Sequence, residues 1–285
     1  MPRNLLLLVG PLLGGCPGPV EDTEHTDTGA VADEVLSVVG FNVESGDADA
    51  AVIADVVAEV RGEGIWGFSE VRDASWAATL ADAAGRGGDG DFEGVIGSTG
   101  YEIRLAIAWD RERYELIGSE ELHEINVGGT ARAPLVAHLR TRSTGTELLF
   151  MVNHLWRSEA DSRHEQATLL NQWGRQQTLP VIAVGDYNFD WDVDEGDDDH
   201  DEGYDLLTED DVFRWVRPEV LIQTQCSTYW DSVLDFVFVS GEAAEWQSSS
   251  EILFPEPTYC HDDDRTSDHR PVAAELVLPG GRRSR

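Results

Sequence analysis

Positive charge is scarce in this chain: 20 lysines and arginines stand against 55 aspartates and glutamates in 285 residues, a formal net charge of -35. That balance excludes a passive electrostatic grip on nucleic acid or anionic lipid, so a polyanionic substrate has to be met through metal ions. Cysteine is rarer still, at three residues. Cys226 and Cys260 alone make a poor zinc site. In an oxidising compartment such a pair reads as a disulfide, with two buried free thiols as the alternative. The apolar run 5–13 is too short to cross a bilayer as a helix, and no fixed-period repeat points to a solenoid. A hydrophobic fraction of 41% and nine tryptophans are ordinary for a folded protein, so the acidity belongs to surface and loops. The length suits one large domain, and no break in composition divides it.

Residues 1–15 read as a signal peptide, because Arg3 precedes a short apolar run. The run ends in Leu13-Gly14-Gly15-Cys16, which resembles the bacterial lipoprotein cleavage motif and implies a lipid on Cys16. An ordinary secretory signal with an incidental cysteine is the alternative. Residues 16–33 are rich in proline, glycine, threonine and acids without hydrophobic periodicity, as expected of a flexible acidic tether. The folded domain is expected over 34–279, followed by a short basic tail, 280–285. The chain is thus expected to be exported to the bacterial cell envelope and held at the membrane by its lipid, as a monomer with no protein partner inferable.

Within the domain, segment 35–43 is valine-rich and reads as a buried strand. Asp47 or Asp49 is placed to cap a helix bearing Val52, Ile53, Val56, Val57 and Val60, which Gly62 stops. A strand over 65–71 ends in Ser69-Glu70, and 74–84 reads as helix. Short apolar runs at 103–109, 133–139 and 148–152, separated by polar turns, predict antiparallel strands. Segment 158–177 reads as a helix with Ser158 as its cap and Leu169, Leu170 and Trp173 on its inner face. Strands are predicted at 181–184, 233–239 and 272–278. This alternation is a layered α/β core.

Several of these strands end in carboxylates, amides or histidines: Phe41-Asn42, Ser69-Glu70, Asn153-His154 and Gly185-Asp186-Tyr187-Asn188. Leu234-Asp235-Phe236 sets an acid inside an apolar strand, and Ser267-Asp268-His269-Arg270-Pro271 sets an acid beside a histidine just before the last one. Buried acids need a partner or a metal. Each element alone is weak, since a single strand-end acid is more often a cap. In this order the series resembles the endonuclease/exonuclease/phosphatase superfamily, with deoxyribonucleases, abasic-site endonucleases, bacterial sphingomyelinases and inositol polyphosphate 5-phosphatases among its members. Its most specific pieces here are Gly185-Asp186-Tyr187-Asn188, similar to the family's G-D-x-N, and Ser267-Asp268-His269-Arg270-Pro271, similar to S-D-H-x-P.

The resemblance implies a four-layer α/β sandwich: two packed, mostly antiparallel sheets flanked by helices, with the site at their mouth. It implies that Glu70 is the main metal ligand, with Asn42 and Asp268 close to the ion, and oxygen donors suit magnesium first, manganese or calcium otherwise. Asp186 and Asn188 would orient and activate water, Asp235 would hold His269 in one tautomer, and His154 would donate to the phosphate or leaving group. Whether Asp186 or His269 takes the proton stays open. Arg132 is a candidate phosphate contact, with a surface arginine in a turn as the alternative. Glu44 stands as a second metal contact or a solvated acid.

Loop 190–211 holds no lysine or arginine and reads as a solvated acidic loop rather than a calcium site. The expected activity is divalent-metal-dependent phosphoester hydrolysis, first as a phosphodiesterase acting on nucleic acid. The alternative substrates are lipid head groups or small phosphoesters, and a non-catalytic cation-binding surface protein is the third class.

Overall fold

The computed structural model describes residues 34–44, 46, 48–227, 229, 231–260 and 265–279. The expected signal peptide 1–15, the tether 16–33 with Cys16, and the tail 280–285 lie outside the described residues.

Among the described residues, twelve strands form two six-stranded sheets. The first contains β1 (Glu34–Asn42), β2 (Ile65–Val71), β3 (Phe92–Ile96), β4 (Arg104–Asp110), β11 (Gln247–Ile252) and β12 (Val272–Leu278), in the order β11-β12-β1-β2-β4-β3. The second contains β5 (Tyr114–Glu121), β6 (Leu135–Thr141), β7 (Glu147–His154), β8 (Val181–Asp192), β9 (Phe213–Trp215) and β10 (Ser232–Ser240), in the order β5-β6-β7-β8-β10-β9. Each sheet has one parallel pair, β1 with β2 and β7 with β8, and its other pairs are antiparallel. A parallel pair needs a crossover. Here α1 (Ala50–Glu59) supplies the first and α3 (Ala160–Gly174) the second.

Together with α2 (Ala74–Gly88), α1 covers the outer face of the first sheet, while α3 and α4 (Glu202–Thr208) cover the second, which completes four layers. The period of two along a strand sorts the side chains. Leu36 and Val38 of β1 face the core between the sheets, and Val39 and Phe41 face the helices. The two sheets approach most closely at Gly67, where a Cβ would come within 2.4 Å of Val152 and 2.5 Å of Val184. Any larger residue there would wedge the sheets apart.

Several expectations need correction. Helix α1, capped by Asp49 accepting from the Ala51 amide, ends before Val60 rather than at Gly62; its buried residues are Ile53, Ala54 and Val57. Ser158 does not cap α3, which starts two residues later at Ala160. The buried face of α3 is Arg163, Gln166, Ala167, Leu170, Asn171 and Gly174, with Leu169 and Trp173 only partly covered. Strand β8 continues eight residues past 184 and carries the whole Gly185–Asn188 motif inside it. The edge strands β3, β5, β9 and β11 have no long apolar run to announce them, because an edge strand needs only one covered face.

Candidate active site

The site lies where the carboxyl ends of the two parallel pairs meet, as ligand sites in α/β folds do. Alternation carries Asn42 onto the same face of β1 as Val38, and His154 onto the same face of β7 as Val152. Asp186 shares its face of β8 with Val184, and Asp235 stands opposite it on β10. Four polar side chains thus arrive at one mouth simply by continuing the core-facing register of their strands.

Two further residues arrive by breaking it. Unbroken alternation would turn Glu70 toward the helices beside Trp66 and Phe68. Instead the register shifts between Phe68 and Val71, and Glu70 has φ of 60°. Asn188 has φ of 53° where the β8–β10 register shifts. Left-handed backbone at a non-glycine residue is costly and recurs at functional sites, and a bulge re-aims the side chain. Gly185 is held at φ of 135°, with a Cβ position only 2.0 Å from the Asn153 carbonyl, so only glycine lets β8 lie against β7 there.

Asn42 Nδ2 donates to Asp186 Oδ2 at 3.0 Å and to Glu70 Oε1 at 3.3 Å, joining the two sheets across the mouth. His154 Nε2 lies 3.4 Å from Asp186 Oδ2 and 3.8 Å from Glu70 Oε1. Asp186 Oδ1 accepts from the Asn188 amide at 3.0 Å. His269 Nδ1 meets Asp235 Oδ2 at 2.7 Å, and its Nε2 faces Asp268 at 3.6 Å and Asp186 at 3.9 Å. Asp235, Asp186, His154 and His269 are all buried.

Electrostatics differ sharply between the two histidines. Burial, with the Arg132, His269 and Arg157 charges, holds His154 well below its usual value, so it is neutral. Burial would also lower His269, but the carboxylates of Asp235, Asp186 and Asp268 outweigh it and raise its pKa to about 10. His269 is therefore an imidazolium at neutral pH. Burial and the Asp235 charge push Asp186 up to about 7, and burial with the Asp268 charge pushes Glu44 up to about 7. Five acids, Glu44, Glu70, Asp186, Asp235 and Asp268, therefore crowd one mouth.

That crowding suits a hard divalent cation. Asp186, Asp235 and His269 form the tightest group of metal-competent atoms among the described residues. Asp235 Oδ2 is already held by His269 Nδ1, leaving only its Oδ1 without a partner, and a protonated imidazole cannot ligate. The oxygen donors that face the opening for an ion are those of Glu70 and Asp268, with Glu44 beside them accepting from the Asp268 amide at 2.9 Å. Glu44 is thus part of the site rather than a lone solvated acid.

Arg132 is buried, 8% exposed, its Nε lacks a hydrogen-bond partner, and it lies in the fields of Asp186 and Glu70. It is not a surface arginine. Gly100 of the β3–β4 loop packs against its Cβ.

Residues that the sequence did not single out hold this arrangement. Arg163 grips Asp201 through two hydrogen bonds, at 3.0 and 2.5 Å, and donates to the carbonyls of Trp156 and Arg157 at 2.8 and 2.9 Å. Gln166 accepts from the Trp156 amide at 2.9 Å and donates to the Ile125 carbonyl at 3.2 Å. Together they pin the turn that follows His154. Buried arginine, glutamine and asparagine at helical spacing on a face poor in large apolar residues is the signal that could have found them.

Thr224 Oγ1 accepts from the amides of Leu234 and Asp235, at 2.8 and 3.2 Å. Segment 224–226 pairs with 268–270 through the Cys226 amide to the Asp268 carbonyl, 2.6 Å, and the Arg270 amide to the Thr224 carbonyl, 2.7 Å. A Cys226–Cys260 disulfide, with Cα atoms 5.1 Å apart, ties this segment down. In loop 190–211, Asp192 accepts from the amides of Asp194 and Glu195, Asp197 pairs with Arg217, and α4 occupies the end. Among the described residues its acids do not converge on a metal-sized site.

Comparison with known proteins agrees with this fold. No curated protein sequence matches the chain. Among solved structures, an endonuclease/exonuclease/phosphatase family protein from Bacteroides thetaiotaomicron superposes with a TM-score of 0.65 at 20% identity, covering 87% of this chain and 96% of that one. A mannosyl-6-phosphatase from Bacteroides thetaiotaomicron gives 0.61 at 20% identity, over 85% and 100%. D. rerio TDP2 complexed with single strand DNA product gives 0.63 at 14% identity, over 86% and 99%. The family model of the endonuclease/exonuclease/phosphatase family matches residues 39–269, and the chain is a member of that family of phosphoester hydrolases.

Proposed function

We propose that the chain is a magnesium-dependent phosphodiesterase acting on nucleic acid. The observation that carries the hydrolytic reading is the pairing, across 4 Å or less, of a charged Asp235–His269 dyad with Asp186 and Asp268, with Glu70 joined to Asp186 through Asn42. Oxygen donors favour magnesium over softer metals, with manganese or calcium as substitutes. Bound there by Glu70 and Asp268, with Asn42 close to it, the ion would neutralise charge on the phosphate oxygens.

The proton steps fall to the chain. Asp186, its pKa raised by burial and by Asp235, is suited to take the proton from the attacking water, which Asn188 helps to orient. As water oxygen bonds to phosphorus, the ester P–O bond breaks, the leaving oxygen takes a proton from solvent, and Asp186 returns its proton to solvent. His269, already an imidazolium, acts as a donor to the phosphate rather than as the base, and Asp235 keeps its ring in place. Neutral His154 presents an N–H to the phosphate or the leaving oxygen, and Arg132 contributes a bidentate clamp.

Nucleic acid is the substrate favoured because one similar structure is complexed with a DNA product. The structural similarity to a mannosyl-6-phosphatase makes small phosphomonoesters the second reading. The purified protein is to be incubated with plasmid DNA, RNA, sphingomyelin, inositol phosphates and a chromogenic phosphodiester, each with magnesium, calcium or chelator. Magnesium-dependent cleavage of DNA or RNA supports the proposal; cleavage of the lipid or inositol substrates alone would redirect it, and no cleavage in any column would end it.

We also propose that the protein is exported and anchored by lipid on Cys16, a reading supported by Leu13-Gly14-Gly15-Cys16. Detergent-phase partitioning that survives Cys16→Ser would sink that idea.

A further inference from the structure

A small cleft of about 210 Å³ opens beside the site, lined by Arg157, Arg163, Asn188, Asp190, Gln225 and Leu234. Its walls are continuous with the machinery. Asn188 hydrogen-bonds Asp186, Leu234 precedes Asp235, and Gln225 pairs with His269. At that volume it is too small for a whole ligand, which usually needs 300 Å³ or more, but it suits one appendage of a substrate held next door.

The two arginines in it play different parts. Arg163 is buried and its guanidinium is fully engaged by Asp201 and the Trp156 and Arg157 carbonyls. Arg157 is exposed, and its side chain makes no hydrogen bond or ion pair with any described residue. Arg111, Arg140, Arg163, Arg175 and Arg217 each pair with a carboxylate, and Arg86, Arg104, Arg113, Arg142, Arg214 and Arg270 each reach a carbonyl, whereas Arg157 does neither. Its backbone is nonetheless fixed, because the Arg157 carbonyl accepts from Arg163. The one acid in the cleft, Asp190, has a carboxylate oxygen taken by the Ser232 hydroxyl at 2.5 Å. The result is a positioned, unspent cation three residues after His154.

We propose that Arg157 is a specificity-determining residue that binds a second phosphate of the substrate, next to the phosphate being hydrolysed. This deepens, and rests on, the phosphoester-hydrolase reading. A planar guanidinium presents paired donors to a phosphate, and a charge-assisted contact of this kind discriminates by roughly tenfold to a hundredfold. The second phosphate comes either from the neighbouring linkage of an oligonucleotide or from a small bisphosphate.

The test compares kcat/KM, with magnesium, for substrates differing only in one flanking phosphate. One arm uses thymidine dinucleotides without a terminal phosphate, with a 5′-phosphate and with a 3′-phosphate; the other uses a hexose monophosphate and the matching bisphosphate. Wild type is expected to prefer a doubly phosphorylated substrate by tenfold or more, through KM. In Arg157→Ala that preference should vanish, and Arg157→Lys should restore part of it. The arm in which the preference occurs identifies the source of the second phosphate. Hydrolysis without such a preference, or a preference that survives in Arg157→Ala, overturns the assignment of Arg157 and leaves the phosphoester reading standing. No hydrolysis of any substrate overturns both.

Discussion

The two strand-helix-strand units are built alike and used differently. In β1-α1-β2 and in β7-α3-β8, a parallel pair ends at the mouth with one residue from each strand: Asn42 and Glu70 from the first, His154 and Asp186 from the second. The first unit leaves its carboxylate partly open, with the Glu70 side chain 23% exposed, whereas the second buries its acid, with the Asp186 side chain at 3%. An open acid can exchange water for a cation at little desolvation cost, while a dry acid has its proton affinity raised. The same topology thus yields a cation rim on one side and a proton-handling interior on the other. The loop carrying Asp268 and His269 joins them, its acid facing the rim and its histidine reaching Asp235.

The largest expected effect breaks the interior. His269→Ala and Asp186→Asn should each lower kcat by about a hundredfold to ten-thousandfold, with no recovery at higher magnesium, because a positioned proton-transfer or phosphate-binding group is gone. Asp235→Asn keeps the imidazole but not its orienting charge and should cost less than His269→Ala. Steady-state kinetics on the substrate identified by the panel give all three values. Near wild-type turnover in both His269→Ala and Asp186→Asn would mean that the family resemblance describes the fold alone.

Opening the bridge between the halves should come next. Loop closure by Cys226–Cys260, separated by 34 residues, stabilises the fold by roughly 3 to 4 kcal/mol. Cys226→Ser with Cys260→Ser should lower the midpoint of chemical denaturation accordingly. It should also lower kcat, since segment 224–226 pairs with 268–270. An unchanged denaturation midpoint would contradict the first expectation.

The smallest effect concerns the far end of β2 from Glu70. Burial, then the nearby Glu275 and Glu251 charges, raise the Glu63 pKa from 4.5 to about 8. Over that window the native state keeps a proton the unfolded chain has lost, so stability falls as pH rises from 4.5 toward 8. Glu63→Gln should flatten that slope and gain on the order of 2 kcal/mol at pH 8, with kcat unaltered. Melting temperature against pH for the two proteins checks the sign; a parallel pair of curves would refute it.

Much of the site was legible because its chemistry sits in contiguous motifs at strand ends. Gly185-Asp186-Tyr187-Asn188 and Ser267-Asp268-His269 each carry a local backbone requirement, positive φ at Gly185 and Asn188 and a Ser267 hydroxyl that accepts from the His269 amide. The buried strands were legible for a similar reason, as valine-rich runs covered on both faces. What stayed hidden is held by distance. Arg163 reads as an ordinary polar helix residue until Asp201, 38 positions on, closes against it. Thr224 looks like a loop hydroxyl until β10 brings its amides to it. Arg157 gives no sequence signal, since only the fold shows that no described residue pairs with it. Strand β11, Gln-Ser-Ser-Ser-Glu-Ile, is polar because only one edge and one face need cover.

The division of labour between rim and interior is tested most directly by turnover against magnesium concentration for Glu70→Gln and His269→Ala. Glu70→Gln weakens the ion's grip without removing the proton-handling groups. Its curve should shift to higher magnesium and climb back toward the wild-type plateau, whereas the His269→Ala curve should keep the wild-type midpoint at a plateau at least a hundredfold lower. Recovery of His269→Ala at high magnesium, or a Glu70→Gln plateau that stays low with an unshifted midpoint, would contradict the account.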